Sequence, residues 1–176
     1  MPAMSSIPQL SAPNPASPSL AQPGSPSAQR FSTSAPVARF VDYFECLRPA
    51  DLPRLAEFYA PQARFKDPFN DVTGLPAITA IFEHMFASLH QPRFVVTQVV
   101  EQGSQCFLTW EFHFRFQRFA PDQARCILGA SHLVWNAAGQ VSLHRDYWDA
   151  AEELYEKLPV VGALMRWLRR RAAVSR

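Results

Sequence analysis

The chain has 176 residues, of which 48% are hydrophobic and 12% aromatic, enough for the core of a single domain. The formal net charge is +2 and a group of arginines lies at the C-terminal end, so no basic stripe crosses the domain and nucleic-acid binding is not expected. No apolar run approaches the roughly 20 residues of a membrane span, and prolines interrupt the N-terminus where a secretory signal would need an apolar segment.

The cysteine pattern favours a reduced protein without a metal centre. Cys46, Cys106 and Cys126 are odd in number and widely spaced, and they form no Cys-x-x-Cys pair or cluster with histidine. We therefore expect core thiols, no metal, no cofactor and a cytoplasmic location.

Composition divides the chain into three parts. Residues 1–35 are rich in Pro, Ser, Ala and Gln and carry one charge, Arg30, which predicts a disordered tail. Residues 36–150 are predicted to form the domain. Residues 151–176 are predicted to form a basic amphipathic helix, which either docks on the domain or contacts an anionic membrane surface through its arginines.

Apolar residues at helical spacing predict three helices before the main sheet. The first runs from residue 36 to about 48, the second begins at a cap at Asp51 and ends at Pro61, and the third runs from Pro76 to about 89. A short strand is predicted over residues 63–69, between the second and third helices.

The remainder is predicted to be an antiparallel meander. Its strands cover residues 94–101, 105–117, 124–136 and 140–148, with turns at Gly103 and Gly139. In the second of these strands the even-numbered residues from 106 to 116 are apolar and the odd-numbered ones mostly polar, so one face is core and the other is wet or paired with a second chain. On the polar face, Glu111 and His113 are interpreted as a satisfied pair at a subunit contact.

Two residues suggest a family. Tyr43 lies in the segment 40–43 and Asp67 in the Lys66-Asp67-Pro68 segment. Together with the order of elements they resemble the nuclear-transport-factor-2-like superfamily, which includes ketosteroid isomerase, SnoaL-like polyketide cyclases and limonene-epoxide hydrolase. The resemblance covers about residues 37–150. It implies an α+β fold in which a cone-shaped, curved antiparallel sheet wraps around three N-terminal helices, with a further C-terminal helix.

The resemblance also implies roles for several residues. In the isomerase a tyrosine and an aspartate at this spacing are the oxyanion donor and the general base, which predicts catalytic roles for Tyr43 and Asp67. The sequence departs from the isomerase at the second oxyanion donor, where Ser131 replaces a protonated aspartate. It departs from the epoxide hydrolase where Glu111 and His113 replace an arginine and an aspartate.

The last predicted strand carries a second acidic candidate. Its segment 144–149 is similar to the Arg-Asp-Tyr-Phe-Asp ending of the epoxide hydrolases and many SnoaL-like proteins, and the resemblance implies that Asp146 acts on a ligand. If His144, Asp146 and Trp148 share the inward face, Asp146 enters the same cup as Asp67.

The predicted function is binding of a small apolar, carbonyl-bearing molecule in an enclosed cup, with acid–base catalysis of isomerase or cyclase type by Asp67, Tyr43 and Asp146. The predicted ligand wall is Leu108, Trp110, Phe112, Ser131, His144 and Trp148. The alternatives are a non-catalytic dimerisation or interaction module whose cup is filled by its own aromatics, and an accessory protein at a membrane surface. A homodimer through the sheet is expected.

Each candidate also has a structural interpretation. Asp67 before Pro68 and Asn70 could form a turn. Asp146 could lie outward or in a salt bridge, and Tyr43, between Phe40 and Phe44, could belong to the core.

Overall fold

The computed structural model describes residues 30–117, 122–153, 167 and 171. The helical elements are α1 (Ala35–Glu45), a 3-10 helix (Pro49–Arg54), α2 (Leu55–Phe58), α3 (Leu75–Ser88) and α4 (Ala150–Glu153). The strands are β1 (Tyr59–Lys66), β2 (Asp71–Thr73), β3 (Leu89–Gln102), β4 (Gln105–Phe116), β5 (Arg125–Trp135) and β6 (Val141–Tyr147).

Six strands form one curved sheet in the order β2-β1-β6-β5-β4-β3. Neighbouring strands are antiparallel except β1 and β6, which run parallel and place Phe65 beside His144. The pairing of β3 with β4 shifts register twice, between His90 and Arg93 and between Val96 and Gln98. Such bulges bend a strand and increase its twist, so they contribute to the curvature of the sheet.

Helices α1 and α3 pack their apolar sides against the concave face of the sheet. Val37, Phe40, Val41 and Phe44 of α1 are buried. Helix α3 begins after Gly74, whose φ of +99° is a conformation that glycine adopts without strain. These contacts enclose the core between the helices and the sheet.

The predicted alternation along β4 is confirmed. Its buried side chains are Cys106, Leu108, Trp110, Phe112 and Phe114, and the residues between them face the opposite, outer side of the sheet. This pattern makes the inner face of β4 one wall of the core.

The α+β fold is confirmed, but the sheet is mixed because β1 is parallel to β6. The predicted second helix is wrong in detail: Arg48 precedes a 3-10 helix, and Asp51 is inside it, accepting a hydrogen bond from the Arg48 backbone N–H at 3.1 Å. Strand β1 begins at Tyr59 and contains Pro61. The prolyl residue is tolerated because the pairing with β6 is irregular between Tyr59 and Arg64. The sequence analysis also missed β2.

The two ends of the chain are described only in part. Residues 1–29 of the predicted tail lie outside the described residues, whereas the Arg30 guanidinium lies 2.8 Å from the Glu45 carboxylate. Ser34, just before α1, donates from its backbone N–H and its hydroxyl to Glu101. Of the predicted C-terminal helix, residues 151–153, Trp167 and Arg171 are described, and the Arg171 guanidinium lies 5.1 Å from the centroid of the Trp167 ring. None of the helices in the described part is long and apolar enough to cross a membrane.

Candidate functional site

An apolar cavity of about 220 Å³ lies between α3 and the concave face of the sheet; we call it the main cavity. Among the described residues thirteen apolar side chains and two carboxylates, Asp67 and Asp146, line it. The apolar lining consists of Phe65, Phe69, Ile81, Phe82, Met85, Leu89, Phe94, Trp110, Phe112, Phe114, Phe116, Ile127 and Trp148. A charged oxygen in such a wall interacts strongly with whatever group faces it, because few polar groups compete.

A second, smaller space of about 40 Å³ adjoins it; we call it the inner cavity. Its polar lining is Ser131, His144 and Asp146, while Leu108 and Trp110 are part of its apolar wall. Asp146 and Trp110 line both spaces. The predicted ligand wall is therefore divided between the two cavities, and Asp146 lies where they meet.

Asp146 is held by two neighbours through one oxygen. The Ser131 hydroxyl donates to Asp146 Oδ1 at 2.5 Å, and His144 Nε2 lies 2.9 Å from the same atom. Trp110 Nε1 in turn donates to Ser131 Oγ at 2.9 Å. No described residue donates a hydrogen bond to Asp146 Oδ2. Within the part of the chain that the structure describes, Oδ1 is thus fixed by two partners and Oδ2 has no donor.

Tyr59 completes this hydrogen-bonded series. Its hydroxyl lies 2.5 Å from His144 Nδ1, and the two rings are parallel with centroids 5.9 Å apart. Burial, reinforced by the charge of Asp146, raises the pKa of Tyr59 well above its ordinary value, so the phenol keeps its proton. A phenol that donates to Nδ1 leaves the proton of a neutral imidazole on Nε2, where it is donated to Asp146. Every donor from Tyr59 to Asp146 then has an acceptor.

The Asp67 carboxylate is used mainly by its own loop. Oδ1 accepts hydrogen bonds from the backbone N–H groups of Phe69 and Asn70 at 2.7 and 2.6 Å, and the Asn70 side-chain amide donates to both carboxylate oxygens. This is the turn-forming arrangement that Asp adopts before such loops. Asp67 nevertheless lines the main cavity.

The structure does not bring Tyr43 to either cavity. Its hydroxyl donates to the backbone carbonyl of Asp51 at 2.9 Å, and its ring stacks on Phe58 with centroids 4.2 Å apart. Burial, together with the charge of Asp51, raises the pKa of Tyr43 to about 12. In this position Tyr43 supports the junction between α1 and the 3-10 helix. Its catalytic role stays a prediction, and the geometry gives no support to it.

Tyr59 belongs to the candidate functional site, and sequence reasoning missed it. It was assigned to the end of a helix, whereas it begins β1 and is fully buried beside His144. The parallel pairing of β1 with β6 makes this contact, and neither strand carries a local signal of a parallel partner. By contrast, period-two spacing predicted that His144, Asp146 and Trp148 share the inward face, where all three lie.

Comparisons with known proteins agree with this fold. The family model of the SnoaL-like domain matches residues 40–144. The chain belongs to the SnoaL-like domain family. Its match runs from Phe40 in α1 to His144 in β6 and so includes Ser131 and His144. A search of curated protein sequences finds no match.

Solved structures share the fold of this SnoaL-like domain. A protein of Shewanella putrefaciens CN-32 described as a SnoaL-like polyketide cyclase is 20% identical, with 77% of this chain and 96% of that one aligned and a TM-score of 0.59. A protein of Catenulispora acidiphila with a ketosteroid isomerase-like fold, in complex with trimethylamine, is 13% identical over 69% and 91% of the two chains, with a TM-score of 0.60. At these identities the likeness concerns the fold.

Proposed function

We propose that this SnoaL-like domain binds a small, largely apolar, carbonyl-bearing molecule in the main cavity and that Asp146 exchanges a proton with it. One observation carries the proposal: in an apolar wall, Asp146 is anchored through Oδ1 by Ser131 and His144, while Oδ2 has no donor among the described residues. A carboxylate fixed in this way is oriented for general base catalysis.

The size of the main cavity narrows the ligand class. A cavity of about 150 Å³ in another protein holds benzene, so about 220 Å³ suits one aromatic ring with short substituents. Four fused rings of a steroid need more space than this. We therefore favour a monocyclic ketone or a phenol-like polyketide fragment as the ligand.

The cavity opens beside the carboxylates. Asp67, Asp146 and Trp148 line the main cavity and also a surface groove that Lys66 and Arg145 border. A ligand that enters from this groove passes both acids, and its polar end stays near Asp146 while its ring packs among the aromatics. Asp67, held by its loop, is proposed to form the rim of the entrance.

The proposed chemistry is proton transfer next to a carbonyl. Asp146 Oδ2 takes a proton from the carbon adjacent to the ligand's carbonyl, and the electron pair of the broken C–H bond forms an enolate. If the ligand has a carbon–carbon double bond between its β- and γ-carbons, the electron pair extends to the γ-carbon, and return of the proton from Asp146 to that carbon completes an isomerisation. A positioned base of this kind contributes about 10²- to 10⁴-fold in rate. The two hydrogen-bonding partners on Oδ1 fix the orientation of the carboxylate before the transfer.

The first measurement is ligand-dependent thermal stability. For a bound monocyclic ketone such as acetophenone at ten times its Kd, linkage gives about 1.4 kcal/mol and a rise in Tm of about 3–6 °C. A steroid ketone at the same free concentration should give a smaller rise in Tm, because its four fused rings do not fit the main cavity. If none of the monocyclic ketones and phenols tested changes the Tm, the proposal that they bind in the main cavity is wrong.

The second measurement is hydrogen exchange at the carbon next to the ketone, followed by NMR in D2O. Wild type should accelerate the exchange and Asp146→Asn should abolish the acceleration. Asp67→Asn is the matched control, because an asparagine oxygen can still accept the loop's backbone hydrogen bonds. Loss of exchange in Asp67→Asn with retention in Asp146→Asn would transfer the role of base to Asp67.

A second candidate function, dimerisation through the sheet, rests on the outer face. Val100, Phe107 and Leu128 project there with 67%, 49% and 60% of their surface exposed. Apolar side chains grouped on an unpaired sheet face are typical of subunit contacts. We propose that two copies pair through this face with two-fold symmetry, which places identical residues on both sides. This arrangement is compatible with ligand binding, because the cavities lie on the opposite face.

A further inference from the structure

We infer that Glu111, His113 and Cys126 form a zinc-binding site on the outer face of the sheet. Glu111 and His113 are two residues apart on β4, so their side chains leave the same face. Cys126 is the direct partner of His113 on the neighbouring β5. This face is opposite to the cavities, so the site is separate from the proposed ligand site.

The three potential ligand atoms already lie close together. One atom of each residue, a carboxylate oxygen, an imidazole nitrogen and the thiol sulfur, falls within 4.8 Å of the other two. His113 Nε2 and Glu111 Oε2 are hydrogen-bonded at 2.8 Å. In a tetrahedral zinc site, bonds of about 2.0–2.3 Å separate ligand atoms by roughly 3.3–3.6 Å. The separations of the three ligand atoms therefore exceed the spacing in a zinc site by little more than 1 Å at most.

The donor set selects the metal. A thiolate sulfur favours borderline or soft ions over Mg²⁺ and Ca²⁺, and the combination of thiolate, imidazole and carboxylate suits Zn²⁺. The ionised thiolate and carboxylate balance the two positive charges of the ion. The neutral complex is compatible with Arg93, which lies opposite His113 on β3.

The sequence analysis predicted no metal because the ligands lack a recognisable spacing. Cys126 follows His113 by thirteen residues on the next strand, and their contact depends on the register of β4 with β5. Three ligands leave the fourth tetrahedral position for water or for a group outside this chain. The ion would join β4 to β5 at this point and so add to the stability of the sheet.

Cobalt is a suitable probe because it replaces zinc and reports on sulfur ligation. Tag-free full-length protein is titrated with Co²⁺, and the near-ultraviolet thiolate-to-cobalt band is recorded. We expect one Co²⁺ per chain, displacement by Zn²⁺ and a Zn²⁺-dependent rise in Tm. Cys126→Ser should lose the band, whereas Cys46→Ser, the control at an exposed thiol, should keep it.

The two other ligands are tested by Glu111→Gln and His113→Asn. Each should weaken Co²⁺ binding by at least about tenfold, since loss of even an outer-shell partner costs that much at other metal sites. His132→Asn, on the same face but bonded to Gln105, should leave the affinity unchanged. A wild-type protein without the thiolate band, or Glu111→Gln and His113→Asn variants that bind like wild type, would overturn the site. Circular dichroism of the metal-free variants is the check that each one folds.

Discussion

Ser131 and Asp146 face each other across β5 and β6, and the hydroxyl of the first donates to Oδ1 of the second at 2.5 Å. The resemblance to ketosteroid isomerase aligned Ser131 with an acidic oxyanion donor. In this protein an acidic side chain, that of Asp146, lies opposite Ser131 on the neighbouring strand β6. The hydrogen bond between them makes the serine a support for the carboxylate.

Ser131→Ala should destabilise the domain and leave the Asp146 carboxylate less firmly held in its orientation. The variant removes a donor to the carboxylate and leaves the buried Trp110 N–H without its acceptor, which costs about 1–3 kcal/mol in the free energy of unfolding. Urea denaturation measures this. Ser142→Ala is the matched control, because among the described residues its hydroxyl bonds only to the Val134 carbonyl, at 3.1 Å. Equal losses in the two variants would contradict a special role for Ser131.

Two tyrosine-to-phenylalanine variants separate the two buried phenols. Tyr59→Phe removes the partner of His144 Nδ1 and should reduce the exchange of the ketone's proton as well as stability. Tyr43→Phe removes a single bond to a carbonyl and should cost about 0.5–1.5 kcal/mol in the free energy of unfolding, with exchange unchanged. If instead Tyr43→Phe abolishes exchange, the catalytic role predicted for Tyr43 from the sequence is restored.

Gly129→Ala should displace the Trp110 ring. Gly129 is the cross-strand partner of Trp110, and a Cβ at this position would overlap the ring's six-membered part. Relief of the overlap breaks the bond from Nε1 to Ser131, and overpacking of this kind costs about 1–3 kcal/mol. Tryptophan fluorescence and urea denaturation report the change. Ala130→Ser adds one atom to the other face of β5, so an effect as large as that of Gly129→Ala would refute the packing explanation.

The free energy of unfolding should fall as the pH rises above about 9. Burial raises the pKa of Cys106 from 9.0 to about 12 and, together with the charge of Asp51, that of Tyr43 from 10.0 to about 12. The unfolded chain releases these protons first and thus binds fewer than the folded chain, so stability decreases with pH until the folded pKa values are passed. Denaturant titrations between pH 8 and about 11 measure the slope. Cys106→Ala should flatten the dependence of the free energy of unfolding on pH just above pH 9. An unchanged slope would exclude Cys106 as a source of this pH dependence.

Leu128→Asp should convert a dimer into a monomer. A charge introduced at the exposed outer face would be buried without a partner in a two-fold contact, which is strongly unfavourable. Sedimentation equilibrium of the full chain measures the molar mass. Leu128→Met preserves volume and should remain dimeric. Wild type that sediments as a monomer at micromolar concentration would argue against pairing through this face.

Local patterns predicted much of the fold. The alternation of β4 and the spacing of His144, Asp146 and Trp148 identified inward faces, because side chains in a strand change sides at each residue whatever the partner strand is. The same rule could not place Tyr59 beside His144, since their contact depends on a parallel pairing of distant strands.

The spacing of Tyr43 and Asp67 was less informative. It fixes their separation in the chain, whereas the direction of the Tyr43 hydroxyl depends on how α1 rotates to bury Phe40 and Phe44. That rotation turns the hydroxyl towards Asp51. Likewise the Asp67 carboxylate is committed to its loop by Asn70, a short-range contact that the Asp-Pro motif only suggested.

The parallel pairing of β1 with β6 bears on the order of events during synthesis. On the ribosome, β1 emerges about eighty residues before its principal partner. Until β6 follows, β1 has only the three residues of β2 along one edge, and its other edge, which pairs with β6, has no partner strand. Long-range closures of this kind are slow steps in folding. A nascent chain stalled before residue 141 would therefore lack Asp146 and His144 and leave the backbone N–H and C=O groups along one edge of β1 unpaired. Such a chain is expected to need a chaperone until translation passes β6.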